Sequence, residues 1–162
     1  METELIANLK IALCTKEDFC QILDDIHDFW GSDRTLLYHH PMFLYECGNT
    51  CFVIKFKEQV VGYLFGFISQ TENLGYIHLI GVRETYQRMG LGHKLYNHYI
   101  QLLKQKDIDH IKAITTPAND KSVRFHIKLG MTMIGDKLEN GFRIIEDYSG
   151  KGQNRVVFKM KI

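Results

Sequence analysis

The sequence predicts an α/β fold: a mixed, mostly antiparallel central sheet flanked by about four helices. Three observations predict it. The apolar, β-rich runs 51–56, 60–68 and 74–82 follow one another with short breaks, which reads as an antiparallel meander. From residue 87 the pattern changes to a glycine-bearing loop, then helix, strand, helix and strand. A chain of 162 residues with 45% hydrophobic and 12% aromatic side chains suits one packed core, and so a single domain over 1–162.

The elements follow in order. Residues 8–13 are a short strand. Across 16–30, Phe19, Ile22, Leu23, Ile26, Phe29 and Trp30 recur at helical spacing, and Gly31 ends the helix. A weaker helical segment covers 34–45. Lys57, Glu58 and Gln59 separate the first two meander strands and predict a hairpin. The helix after the glycine loop buries Leu95, Tyr99, Leu102 and Leu103. Residues 110–115 form a strand. Asn119 suits the N-cap of a helix over 120–129, and Gly130 suits its stop. Residues 131–134 and 155–162 are the last two strands. The polar, glycine-containing stretch 136–154 between them reads as a long loop at the sheet edge.

Composition excludes several classes. A formal charge of +1 argues against nucleic acid or an acidic membrane as the main partner. Residues 1–4 are acidic and lack a signal-peptide pattern, and no stretch approaches the ~18 apolar residues of a membrane span. A cytoplasmic location is expected. The four cysteines, Cys14, Cys20, Cys47 and Cys51, read as reduced thiols, because no second ligand pair follows Cys47 and Cys51 at zinc-site spacing. No metal site is expected.

The chemistry concentrates after the third meander strand. Gly90 and Gly92 let the main chain approach a ligand closely, and amides at the start of the next helix converge there with the positive end of its dipole. Such a nest suits a pyrophosphate, with Arg88, His93 and Lys94 adding charge. The loop is no P-loop, since Gly92 is followed by His93, Lys94 and Leu95. It is no dinucleotide fingerprint either, because Leu95 stands where the third glycine belongs. A tight turn and nothing more is the plain alternative.

The pattern Gln87-x-x-Gly90-x-Gly92 after Gly81-Val82 resembles the acetyl-CoA signature of the GNAT superfamily. The run Asn119-Asp120-Lys121-Ser122-Val123-Arg124-Phe125-His126 through Gly130-Met131 is similar to that family's second signature. The resemblance implies a sheet splayed between its fourth and fifth strands, with coenzyme A held there. It also implies that pantetheine pairs with the main chain of Ile80, Gly81 and Val82. Pyrophosphate would lie on Arg88, Met89, Gly90, Leu91, Gly92 and His93, with Gln87, Asn119, Ser122 and Phe125 completing the donor site. The implied reaction moves an acetyl group from acetyl-CoA to an amine, with no metal.

Two histidines become catalytic candidates under that resemblance. The family often carries a tyrosine that protonates the departing thiolate; here His126 holds the position, and Ser122 shares its helix face at i, i+4 spacing. An ammonium cannot attack a thioester, so a base is also needed. Alternation along the strand places Tyr76, His78, Ile80 and Val82 on one face, making His78 the candidate. Main-chain amides near Ile80 would serve the oxyanion, an effect often worth ~3 kcal/mol. A hydrogen-bonded structural histidine is the plain alternative at both positions. His27, His39, His40, His98 and His110 are expected to have no role.

GNAT acceptor sites are usually built from the N-terminal helices and the loop between the last strands. That implies Trp30, Asp33, Arg34 and Tyr148 as acceptor contacts, with Glu146 and Asp147 nearby. The tail from Asp147 to Phe158 resembles a branch with Tyr-Asp-Gly-x-Gly-x-Asp-Arg-Val-x-Phe, although Ser149 and Asn154 replace its two aspartates. The expected partners are acetyl-CoA and an amine acceptor, with a homodimer allowed. The competing reading is a non-catalytic acyl-CoA-binding sensor or interaction module.

Overall fold

A computed structural model describes residues 8–162; the acidic segment 1–4 lies outside them. The chain runs β1 (Ile11–Leu13), α1 (Lys16–Asp24), α2 (Ile26–Trp30), α3 (Met42–Tyr45), β2 (Cys51–Phe56), β3 (Gln59–Ile68) and β4 (Leu74–Val82). It continues through α4 (Leu91–Gln105), β5 (His110–Thr115), α5 (Asp120–Lys128), β6 (Thr132–Ile134), β7 (Lys137–Glu139), β8 (Phe142–Ile144) and β9 (Val156–Lys161). Hydrogen bonding orders the main sheet β1-β2-β3-β4-β5-β9-β6, with β7-β8 a separate pair. The described residues cluster as two compact units, 8–67 with 78–102, and 68–77 with 103–162.

In the first unit, β1, β2 and β3 are antiparallel, and β2 turns into β3 at Lys57 and Glu58. Both turn residues have positive φ, 46° and 66°. That is the backbone of a two-residue turn whose twist matches its strands. Thr15 and Asp18 exchange side-chain and backbone hydrogen bonds at 3.1 and 3.0 Å, closing a capping box on α1. The apolar stripe of α1 and α2 then buries Phe19, Ile22 and Phe29 with Phe43, Val53, Tyr63, Phe65 and Leu79. Each fully buried side chain of this kind contributes about 1.5–3 kcal/mol.

The predicted single helix over 16–30 is two helices. Asp25 closes α1, donating its N–H to the Gln21 carbonyl at 2.9 Å, and α2 restarts at Ile26. Asp25, at the break, and Asp28 both bond to one arginine, described below. The predicted helix over 34–45 is likewise a single 3-10 turn, Leu36–Tyr38, followed by the four-residue α3. Pro41 stands between them, and its ring disfavours the helical conformation for His40.

In the second unit, β5 pairs with the start of β4 in parallel, from Leu74↔His110 to Ile77↔Ala113, and β9 pairs antiparallel with β5 and β6. Ile111, Ala113, Val123, Met131, Val156, Val157 and Phe158 are buried. The predicted loop over 136–154 is a correction. Its first half is the β7–β8 hairpin, turning at Asn140 and Gly141 with φ of 51° and 82°. An Asn-Gly pair is a strong two-residue turn signal that the polar composition of the stretch hid. Its second half folds on itself: Asp147 accepts from the Gly152 N–H at 2.7 Å, and Asn154 accepts from the Asp147 N–H at 3.0 Å. Among the described residues, no helix is long and apolar enough to cross a membrane.

Candidate functional site

The first group of candidate residues lies where β4 runs into α4. Alternation along β4 is visible in burial: Ile77, Leu79 and Gly81 are buried, while Tyr76, His78, Ile80 and Val82 are half-buried. Gly81 is small for a reason. A Cβ there would stand 2.7 Å from Tyr63 Cε1 and 2.9 Å from Tyr63 Cζ, so the tyrosine ring rests directly on the strand's backbone.

After Val82 the chain makes one 3-10 turn, Glu84–Tyr86, and Gln87 returns its side-chain N–H to the Val82 carbonyl at 2.9 Å. That bond ties the loop's start to the strand's end. Arg88 and Gly90 take positive φ, 65° and 82°, reversing the chain so that α4 begins at Leu91. The Gly90 carbonyl accepts the Lys94 N–H at 3.0 Å, so Gly90 is the residue before the first turn. Gly92 differs from expectation: it is a helical residue, and its lack of a Cβ bares the first turn of α4 without any demand on φ. α4 is 15 residues long and has no acidic side chain in its first turn, so its positive end is uncompensated from within. Leu91 is buried, and Arg88 and Gly90 are exposed. The loop thus combines a glycine at positive φ, a helix start with no acidic side chain and an exposed arginine.

Arg83, which no motif indicated, anchors this loop. It is 4% exposed. Its Nε donates to the Val60 carbonyl at 3.0 Å, Nη2 to Asp25 Oδ2 at 2.7 Å, and Nη1 to Asp28 Oδ2. Its guanidinium also sits 4.8 Å from the Phe29 ring centre. The sequence offered only the position, the first residue after β4.

His78, the base candidate, is fixed by its surroundings. Its Nε2 lies 2.9 Å from the Tyr38 carbonyl, so Nε2 carries the proton and Nδ1 is the acceptor nitrogen. Its ring stacks on Phe43 at 4.6 Å and 19°. Burial lowers its pKa, with the Tyr38 bond acting in the opposite sense, which keeps it neutral near pH 7. His39 and Tyr63, not singled out by the sequence, lie beside it in a hydrogen-bonded chain that reaches Trp30. The Trp30 indole is thus turned inward, while Arg34 lies 5.8 Å from its ring centre and Asp33 and Arg34 are exposed.

The second group lies on α5 in the other unit. Asn119 caps the helix, its Oδ1 accepting the Ser122 N–H at 3.2 Å. His126 is 3% exposed, and its Nδ1 lies 2.7 Å from the Ser122 carbonyl and 3.4 Å from Ser122 Oγ. The ring stacks on Phe158 at 4.7 Å and 14° and meets Phe125 edge-on at 5.4 Å. Burial pulls its pKa down to about 4, against the Ser122 bond. The ring is therefore neutral near pH 7, with its Nδ1 proton committed to a carbonyl. Tyr148 is exposed; its neighbour Tyr76 is pushed up to about 12 by burial first and then by Tyr148, with Arg155 opposing. Among the described residues, no group of three or more His, Cys, Asp or Glu is placed to hold a metal ion.

The passage from β4 through the loop at residues 87–90 into α4 lies within the stretch that identifies the chain's class. The sequence matches the acetyltransferase (GNAT) family over residues 17–131, and the chain belongs to that family. It is 34% identical over 99 residues to the L-2,4-diaminobutyric acid acetyltransferase of Shouchella clausii (strain KSM-K16). That match covers 60% of this chain and spans 55% of the relative's length. The fold is shared with Ard1 from Thermoplasma volcanium, at a TM-score of 0.72, 17% identity, and 94% and 97% coverage of the two chains. It is also shared with an acetyltransferase from Bacillus anthracis str. Ames solved in complex with acetyl coenzyme A, at a TM-score of 0.57 and 17% identity. There the coverage is 69% of this chain and 62% of that one.

Proposed function

We propose that this chain, acting as one domain, transfers an acetyl group from acetyl-CoA to a primary amine of a small molecule or protein. The observation that carries the reading is the chain reversal at Arg88 and Gly90, both at positive φ, directly ahead of an α4 first turn with no acidic side chain, since the bare N-terminus of a helix favours an anion. Pyrophosphate would be held there, and pantetheine would run along the main chain of Ile80, Gly81 and Val82 as an added strand. His78 takes the proton from the acceptor ammonium through Nδ1. The freed amine attacks the thioester carbonyl carbon, main-chain amides near Ile80 hold the oxyanion, the nitrogen gives its second proton to solvent, and the C–S bond breaks to release coenzyme A as a thiolate that solvent protonates. A neutral, stacked His126 has no acidic proton to offer near pH 7, so we assign it to the packing of α5 rather than to protonation of that thiolate.

The 34% identical relative's name supports a small diamino acid as the first acceptor to try. The test is an amine panel with acetyl-CoA, read both as released thiol and as the mass of acetylated product. Thiol release that depends on one amine, with a product heavier by an acetyl group, is the expected result. Saturable acetyl-CoA binding with no product from any amine would instead favour a non-catalytic acyl-CoA sensor. Absence of binding at millimolar acetyl-CoA would remove both readings.

A further inference from the structure

The buried chain of polar groups beside β4 has an unambiguous proton arrangement. His39 Nδ1 lies 2.8 Å from the Thr35 carbonyl, which can only accept, so Nδ1 carries the proton and Nε2 does not. Tyr63 Oη, 2.7 Å from Nε2, must then donate to it. The Trp30 indole N–H, which can only donate, completes the set by giving its proton to Tyr63 Oη at 2.7 Å. Tyr63 is wholly buried and His39 is 6% exposed, so neither touches a substrate.

The chain is connected to His78 through one short turn. The Thr35 carbonyl that holds His39 also accepts the Tyr38 N–H at 3.0 Å, and the Tyr38 carbonyl accepts from His78 Nε2. The 3-10 turn Leu36–Tyr38 is therefore gripped at both ends by imidazoles. At the far end, the Tyr63 ring rests on Gly81, three residues along β4 from His78. The circuit starts on β4 at His78 and returns to β4 at Gly81. The Trp30 indole, the Tyr63 hydroxyl and the His39 ring each find their partner within the protein, which favours one geometry over others.

We propose that His39 and Tyr63 are positioning residues for acetyl transfer: through the Leu36–Tyr38 turn they hold His78 Nε2–H against the Tyr38 carbonyl and so fix the ring and its tautomer. This rests on the reading of His78 as the base. The contacts set Tyr38 and His39 as titratable groups against His78, with the Phe43 ring from α3 adding no charge.

The test uses the full chain and the variants Tyr63→Phe and His39→Gln. Tyr63→Phe keeps the ring on Gly81 and removes only the hydroxyl that links Trp30 to His39. The first measurement needs no acceptor: imidazole 15N shifts of His78 across pH. Wild type is expected to show the Nε2–H form. Both variants are expected to show mixed forms, with the His78 pKa raised by about half a unit as the loosened turn admits water. The second measurement uses L-2,4-diaminobutyrate and the best amine from the panel. The expected result is a roughly tenfold or greater fall in kcat with acetyl-CoA KM unchanged, and the acid limb of kcat moved upward in pH. Should Tyr63→Phe fail to fold, His39→Gln carries the test. Identical His78 shifts and pKa in wild type and variants would overturn the positioning role. Full activity in His78→Gln would instead sink the base reading, and the His78 shifts in the His39 and Tyr63 variants would still report on the circuit.

Discussion

The Tyr63 ring lies on the backbone of Gly81, so close that a single methyl group on Gly81 would fall 2.7 Å from a ring carbon. Tyr63 cannot swing away, because Trp30 and His39 each hold its hydroxyl at 2.7 Å. Gly81→Ala must then push β4 or break that pair of bonds. Overpacking of this kind costs about 1–3 kcal/mol. The displaced strand would also present Ile80 and Val82 to pantetheine out of line. Urea unfolding and acetyl-CoA calorimetry should both register the loss. In a Tyr63→Val background the same alanine should cost little, since the atoms it strikes are gone. An equal cost in both backgrounds would refute the contact.

Arg83 is a buried cation with two acidic partners that are themselves partly exposed. Removing it leaves the Val60 carbonyl without its Nε bond and frees the junction of α1 and α2. Arg83→Ala should cost about 2 kcal/mol, below the range for fully buried pairs because water screens Asp25 and Asp28. Asp25→Asn and Asp28→Asn should each cost under about 1 kcal/mol. Chemical denaturation of the three variants would check the ranking. Because Arg83 precedes the Gln87–Gly92 loop, its loss should also weaken acetyl-CoA binding, whereas the two asparagine variants should bind nearly as wild type.

The strands and the helix after the glycine loop were legible because each carries its own period: alternation in β4, a helical stripe in α4, an Asn cap and Gly stop around α5. The break at Asp25 was not, since Phe19 through Trp30 keep helical spacing across it. At the break Asp25 and Asp28 both bond to Arg83, 55 residues away from Asp28 in sequence, a tertiary contact that helical spacing does not carry. The β7–β8 hairpin was hidden by polar composition even though Asn140-Gly141 marks its turn. Around the candidate site, motif spacing singled out residues that lie on β4, the loop after it and α5, whereas residues without such spacing gave no signal. Tyr63 and His39 sit in an apolar strand and before a proline, and only the fold brings them together.

Gly90 and Gly92 should respond differently to substitution. Gly90 has φ of 82° and a Cβ there meets nothing within 4 Å, so its demand is conformational alone. Gly90→Val should cost about 1–2 kcal/mol and raise the acetyl-CoA Kd at least tenfold, while Gly90→Asn, which tolerates this backbone, should do little of either. Gly92 is already helical, so Gly92→Ala should stabilise the fold by about 0.5–1 kcal/mol. The added methyl group stands over the first-turn amides, so affinity should fall even as stability rises. Thermal melts beside calorimetry would separate the two effects. A Gly92→Ala variant that binds as wild type would place the pyrophosphate elsewhere.

His126 sets an acid sensitivity whose sign is fixed by its burial. Its pKa falls from 6.5 in the unfolded chain to about 4 in the fold, so between those values the unfolded state binds the extra proton. Stability from this group is complete above about pH 6.5, declines as pH falls, and levels off below about 4. Between pH 7 and 5 the loss is about 2 kcal/mol. His126→Phe keeps a flat ring against Phe158 and has nothing to protonate, so its unfolding free energy should change less over that interval by about the same amount. The comparison is urea midpoints of the two proteins at pH 7 and pH 5. If His126→Phe loses as much stability as wild type, the acid sensitivity belongs to other groups, His39 and His78 first, whose pKa values burial also lowers. The same variant measures catalysis independently. With His126 confined to packing, turnover at pH 7 should stay within about threefold of wild type, whereas a fall in kcat of a hundredfold or more, the scale of a lost general acid, would return the proton-donor role to His126.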